Sequence, residues 1–336
     1  MVVLPLMQRS GLALCRVSFV QEWLAWWREQ SAFKRYLPLL IAMLYWLVLR
    51  ALGGVHSNQW MMSFWFLALY YTGPRTQVYF RFALPLLITG VLYDSQRYFS
   101  HFVRSDVHVV EPYLIEQSIF GIPTDAGIRI PSEWFQTHTH WILDTIAGVA
   151  YLTYVAQYVF VAAYFVLFRK EKHKESYLLP WGFLVVNVLG FITYHLYAAA
   201  PPWYFSTYGF GPVPPEVFPN PAGAARFDDL YGVGAFAALY TQSRNVFGAI
   251  PSLHAAYPLL MVVFAFRFKS LRIFCSLFFL AVCFAAVYFN HHYVIDVLLG
   301  MLYALITAAL LLGWDRFKCG RKSESTRRER AFRRAA

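Results

Sequence analysis

Long apolar runs separated by short polar connectors set the pattern of this chain. Several approach or exceed the roughly 20 residues needed to cross a bilayer. They predict eight helices, at about 37–55, 58–72, 78–94, 143–168, 178–199, 252–267, 271–289 and 292–313. The second is short, and suits a re-entrant or interfacial piece as well as a span. Ahead of them, FVQEWLAWWREQSAFKRY (19–36) sets Trp23, Trp26 and Trp27 among charges. That is the pattern of an interfacial helix, or of an aromatic anchor for the first span. The opening MVVLPLMQRSGLALCRV makes a poor signal peptide, because Arg9 and Arg16 interrupt its apolar stretches.

Two long stretches break the pattern, at about 95–142 and 200–251. Both are rich in Pro, Gly and aromatic residues and carry turn signals. Loops of this length are usually functional or disordered, and these are expected to pack as a cap over the helix ends. No internal repeat is visible. The simplest division is an N-terminal interfacial segment (1–36), one membrane catalytic domain (37–314, its core about 140–314) and a basic tail (315–336). The expected class is an all-α integral membrane protein.

Composition supports this: 59% of residues are hydrophobic and 14% charged, against about 25% charged in soluble domains. The net charge of +11 does not point to nucleic acid, for which no motif is present. Much of it lies in the tail KCGRKSESTRRERAFRRAA, which is poor in apolar residues and expected to be disordered, beside anionic headgroups. With the tail inside, 22 of the 29 lysines and arginines fall on the inner side and 5 in the outer loops. The positive-inside rule then puts both termini in the cytoplasm and both long loops on the non-cytoplasmic side. Cys15, Cys275, Cys283 and Cys319 are scattered, with neither metal-ligand spacing nor a disulfide framework.

Candidate chemistry sits at two rims on that outer side. One is IPSLHAAY (250–257), the other NHHYVIDVLLG (290–300). His254 and His292, 38 residues apart, converge on one membrane level. His292 and Asp296 are i and i+4, neighbours on a helix face. A carboxylate there fixes the imidazole tautomer and leaves the other nitrogen as nucleophile or base. Asp296 lies a turn into a span, where an unpaired charge is costly. Pro251 suits a first helical turn. The N–H groups around Ser252 and Leu253 would then form an anion cradle, with the Ser252 hydroxyl adding a hydrogen bond and His254 a proton.

These motifs resemble the type 2 phosphatidic acid phosphatase superfamily. Its PSxH signature reads Pro251-Ser252-Leu253-His254, and its histidine with an aspartate four residues later reads His292 and Asp296. The resemblance implies a six-helix core, here with about two extra N-terminal membrane helices. It also implies a phospho-enzyme on His292, oriented by Asp296, with His254 as acid and then base. LYAAAPPWY (196–204), AGAARFDDLYG (222–232) and NVFGAIPSLHAAY (245–257) are similar to the inositol phosphorylceramide synthase-like branch, as is YDSQRYF (93–99).

Two departures matter. The lysine and Arg-Pro motif of the superfamily is absent, and Ala286 stands where its third motif carries arginine. Replacement phosphate ligands are sought at Arg226 and Arg244. Arg97 and Asp94, near His101, Arg104, Asp106 and His108, are candidates for a polyol headgroup or for loop structure. His195 is a candidate pocket residue before the AAPP break, and Trp203 and Tyr204 are expected at the membrane interface. The expected reaction moves a phosphorylated headgroup from a phospholipid donor to a lipid alcohol such as ceramide or diacylglycerol, without metal or cofactor. The alternative is a lipid phosphatase or phosphodiesterase using the same residues with water.

Overall fold

A backbone in lipid must satisfy its own hydrogen bonds, so the apolar runs fold as helices. The computed structural model describes residues 19–54, 56–99, 107–169, 173–211, 213–214, 217–241 and 245–335, with side chains as far as Lys318. The chain divides into two units, Met1–Val91 and Leu92–Ala336.

The first unit contains α1 (Phe19–Glu29), α2 (Ala32–Ala51), α3 (Ser57–Tyr71) and most of α4 (Gln77–Ser95), whose last turn belongs to the second unit. Ser31 caps α2, its hydroxyl accepting from the Lys34 N–H. Helix α2 is long and apolar enough to cross a membrane, whereas α3 has only 15 residues. The α1 tryptophans turn onto the α3–α4 connector. The Trp23 indole donates to the Tyr71 carbonyl at 2.7 Å, and Glu22 pairs with Arg75.

The second unit continues with α5 (Val110–Phe120), a small antiparallel hairpin of β1 (Ile122–Thr124) and β2 (Gly127–Arg129), and α6 (Pro131–Thr137). Then come α7 (Trp141–Phe168), α8 (Leu178–Leu196), α9 (Pro202–Tyr208), α10 (Ala225–Tyr231), α11 (Ala235–Tyr240), α12 (Leu253–Phe268), α13 (Arg272–Tyr288) and α14 (Val294–Ala335). Helix α12 is the central member, packed against α7, α8, α13 and α14. Helices α7, α8 and α14 are long and apolar enough to span a membrane, and α12 and α13 are shorter apolar helices.

Three features differ from expectation. Helix α8 ends at Leu196 rather than near 199, because Pro201 and Pro202 bar helix in the residues before them. The freed strand Ala198–Ala200 pairs instead with both long loops. His108 N–H donates to the Ala198 carbonyl (2.8 Å) and Ala199 N–H to the Phe247 carbonyl (3.0 Å). Trp203 and Tyr204 are not at an interface: both are buried in the cap beside Val109, Val217 and Phe247. The basic tail is helical to Ala335, since Arg, Lys, Glu and Ala are good helix formers even where apolar residues are few.

Candidate active site

Helices α12 and α14 meet backbone to backbone at one end of the bundle. Gly300 permits this, since a Cβ there would stand 2.1 Å from the Ser252 carbonyl oxygen. Ser252 caps α12 with an extended backbone. Its N–H donates to the Asp296 carbonyl at 2.9 Å, so it is not part of an open anion cradle. The Ser252 hydroxyl is buried without a hydrogen-bond partner among the described residues.

The second fragment is held by a turn rather than a helix. Helix α13 stops at Tyr288, and Asn290 takes a left-handed φ of 62°, which asparagine tolerates better than most residues. The N–H groups of His291 and His292 both return to the Ala286 carbonyl, at 3.2 and 3.0 Å. Ala286 is fully buried, so this position has no room for the arginine of the superfamily pattern. The cap fastens the same turn: Trp203 N–H donates to the Asn290 carbonyl and Gly223 N–H to the Phe289 carbonyl, each at 3.0 Å.

His292 therefore precedes α14, and its pairing with Asp296 is not a helical i, i+4 contact. Asp296 sits in the first turn of α14 and reaches back. Its Oδ2 accepts from the Tyr293 N–H at 2.9 Å and from His292 Nδ1 at 3.3 Å. Asp296 is fully buried. His292 Nε2 then lies 3.0 Å from His254 Nδ1. With the His292 proton on Nδ1 facing the carboxylate, Nε2 holds the lone pair and His254 Nδ1–H is the donor. The three side chains form one relay, from a buried acid through one imidazole to another.

Both histidines line a cavity of about 120 Å³, together with His291, Tyr151, Tyr240 and Trp203. Asn220 and Asn245 supply amides. None of the described lining residues is a lysine or arginine. His291 is stacked between Tyr240 (4.7 Å between ring centres) and Tyr151 (5.5 Å), and Tyr151 stacks on His254 at 4.3 Å. His291 Nε2–H donates to the Pro221 carbonyl at 2.9 Å. Burial, with the neighbouring His292 imidazole adding to it, pushes the His291 imidazole down to about 3. It is neutral at any ordinary working pH.

The remaining candidates lie elsewhere. Arg226 is taken up by the scaffold: its Nε donates to Asp144 Oδ1 at 2.8 Å and its Nη1 to Gln136 Oε1 at 3.0 Å. Its guanidinium also lies over the Tyr288 ring, 4.8 Å from the centre. Arg97 forms a salt bridge with Asp94, and neither lines the cavity. His195 is exposed and hydrogen-bonded within α8 to the Phe191 carbonyl. Arg244, His101, Arg104 and Asp106 lie outside the described residues, and His108 faces Glu111.

Of the buried acids that escaped the sequence reading, two brace the site. Asp144 accepts from Arg226 and from the Tyr288 hydroxyl. Glu116 of α5 is fully buried and accepts from the Val294 N–H (2.8 Å) and the Ile295 N–H (3.1 Å). Burial pushes its carboxyl up to about 7, against the pull of those two backbone bonds. The only signal for either was an acid in a chain with few charges.

The profile of a family described as the PAP2 superfamily matches residues 117–310. The chain is 35% identical over 287 residues to the phosphoinositol dihydroceramide synthase of Bacteroides thetaiotaomicron, covering 84% of this chain and 90% of that protein. It is 29% identical to the inositol phosphorylceramide synthase catalytic subunit of Schizosaccharomyces pombe, over 71% of this chain and 55% of that one. With the Saccharomyces cerevisiae counterpart the figures are 28%, 71% and 58%, so the chain spans a little over half the length of the yeast proteins. No solved structure matches it. With a profile match over more than half its length and a relative aligned over most of both chains, this multi-pass membrane protein belongs to the PAP2 superfamily, on its inositol phosphorylceramide synthase-like branch.

Proposed function

We propose that the protein transfers phosphoinositol from phosphatidylinositol to a ceramide-type lipid alcohol, through a phosphohistidine on His292. The observation that carries this reading is the Asp296–His292–His254 relay on a cavity whose described lining has amides and aromatic rings but no lysine or arginine. A phosphodiester carries one negative charge and makes less demand on cations than a phosphomonoester dianion. Amides and stacked rings suit a neutral polyol. The similar synthases named above point to the same chemistry.

Each step follows from the proton positions. His292 Nε2 attacks phosphorus, and the bond from phosphorus to the diacylglycerol oxygen breaks. His254 Nδ1–H, which faces His292 Nε2 at 3.0 Å before substrate enters, turns to the leaving oxygen and protonates it. The acceptor hydroxyl then gives its proton to His254, its oxygen attacks phosphorus, and the N–P bond breaks. Reacting atoms approach to about 3–3.5 Å before bonding, so the two imidazoles part to admit the phosphate. Asp296 holds the His292 tautomer throughout and offsets the positive charge on the phosphorylated ring. Arg244, next in sequence to the cavity residue Asn245, is the remaining candidate cation.

The charge bias of the loops supports placing this site on the non-cytoplasmic side, with both termini in the cytoplasm. The cap limits the access of water, which would otherwise hydrolyse the intermediate. The test is purified protein given phosphatidylinositol labelled in its headgroup, with and without ceramide. A ceramide-dependent labelled lipid is expected. Release of water-soluble inositol phosphate, with no such lipid formed, would establish hydrolysis instead.

A further inference from the structure

The first turn of α14 carries the acid that orients His292, and three consecutive N–H groups open it. Tyr293 N–H goes to Asp296 Oδ2. Val294 and Ile295 N–H go to the two oxygens of Glu116, at 2.8 and 3.1 Å. Two carboxyl groups thus share one helix N-terminus, where negative charge is favoured. One of them touches the reacting imidazole. The other comes from 178 residues away in the chain and touches nothing that reacts.

The fit is specific to a glutamate. Adjacent N–H groups require two acceptors held side by side, which a carboxylate offers and an amide does not. Glutamine of the same size keeps one acceptor and turns an NH2 towards the other N–H. Aspartate is one methylene too short to reach both from α5. Glu116 is itself fully buried, and α5 is anchored by the Gln117 side chain on the Ile128 carbonyl at 2.7 Å. Any slip of the first turn moves Tyr293, whose N–H fixes Asp296 Oδ2, and with it the hydrogen bond to His292.

We propose that Glu116 is a positioning residue for the reaction, clamping the start of α14 so that Asp296 presents His292 Nε2 to the phosphate. The inference rests on the headgroup-transfer reading above. Misplacing a reacting group by about 1 Å costs on the order of 100-fold in rate. Glu116→Gln is therefore expected to lower kcat for diacylglycerol release from phosphatidylinositol about 100-fold. The KM for the donor should stay within twofold and the unfolding temperature near wild type. A purely structural role would instead lower the unfolding temperature and leave kcat per folded molecule unchanged.

Glu111→Gln is the control, on the same helix but exposed beside His108, and should match wild type. Glu116→Asp is the second variant, expected to lose kcat in the same way. A folded Glu116→Gln or Glu116→Asp protein with wild-type kcat would overturn the proposal. Failure of both variants to fold would also overturn it, assigning Glu116 to the scaffold alone. Wild-type protein that releases no diacylglycerol would instead defeat the headgroup-transfer reading, which keeps the two failures apart.

Discussion

Replacing Asp296 by asparagine tests the relay with almost no change in volume. Oδ2 of Asp296 accepts two hydrogen bonds, from Tyr293 N–H at 2.9 Å and from His292 Nδ1 at 3.3 Å, while Oδ1 is buried without a partner among the described residues. The asparagine oxygen can replace Oδ2 in both bonds, so the turn and the tautomer are retained. What goes is the charge. Two unit charges about 4 Å apart interact by about 4 kcal/mol at the effective dielectric of protein sites. That attraction is missing from the proposed phosphohistidine state, in which the His292 ring is cationic. At about 1.4 kcal/mol per decade, the expected loss in kcat is about 1,000-fold, with donor KM little changed. The assay is the initial rate of diacylglycerol release at saturating phosphatidylinositol, with circular dichroism to confirm folding. A loss under tenfold in folded Asp296→Asn protein would refute the reasoning, because no charged orienting group would then be needed.

Two further substitutions probe the surroundings. Arg226→Ala leaves the largely buried Asp144 with the Tyr288 hydroxyl as its main partner. It is expected to cost on the order of 2–3 kcal/mol of stability while donor KM stays within twofold, and a tenfold rise in KM at unchanged stability would show that the guanidinium binds phosphate after all. His291 titrates at about 3 in the fold against an ordinary 6.5, so below 6.5 the unfolded chain takes up protons that the native one does not. Its contribution is complete above about 6.5 and is lost as pH falls towards 3, by at most about 1.4 kcal/mol per pH unit. His291→Phe, which preserves the stacking, should show a shallower fall in unfolding temperature between pH 7 and 5; equal slopes would contradict this.

The parts of the site legible in the sequence were those with a local or a global signature. The four-residue spacing of His292 and Asp296 picked out two side chains that are in hydrogen-bond contact, although the chain is a turn there and helical only from Val294. The distribution of lysine and arginine brought two rims 38 residues apart to one level, and their imidazoles meet at 3.0 Å. The scaffold contacts of Arg226 were not legible because its partners, Asp144 in the first turn of α7 and Gln136 in α6, are 82 and 90 residues distant, and no local periodicity reports such a pairing. Glu116 was missed for the same reason. The Ser252 N–H looked free because capping rules see only the helix it opens, and its acceptor is the carbonyl of Asp296 on another helix. The proline-rich break at AAPP was visible, but not that the freed backbone would tie the two long loops together.

The central claim is that His292 carries the phosphoinositol between donor and acceptor. It is tested most directly by mixing the protein with phosphatidylinositol labelled at phosphorus, without acceptor, and quenching in base, where a phosphohistidine survives. Peptide mapping should place the label on His292, and adding ceramide before the quench should discharge it into lipid. His292→Ala protein should carry none. Label on another residue, or full transfer activity in His292→Ala protein, would contradict the account.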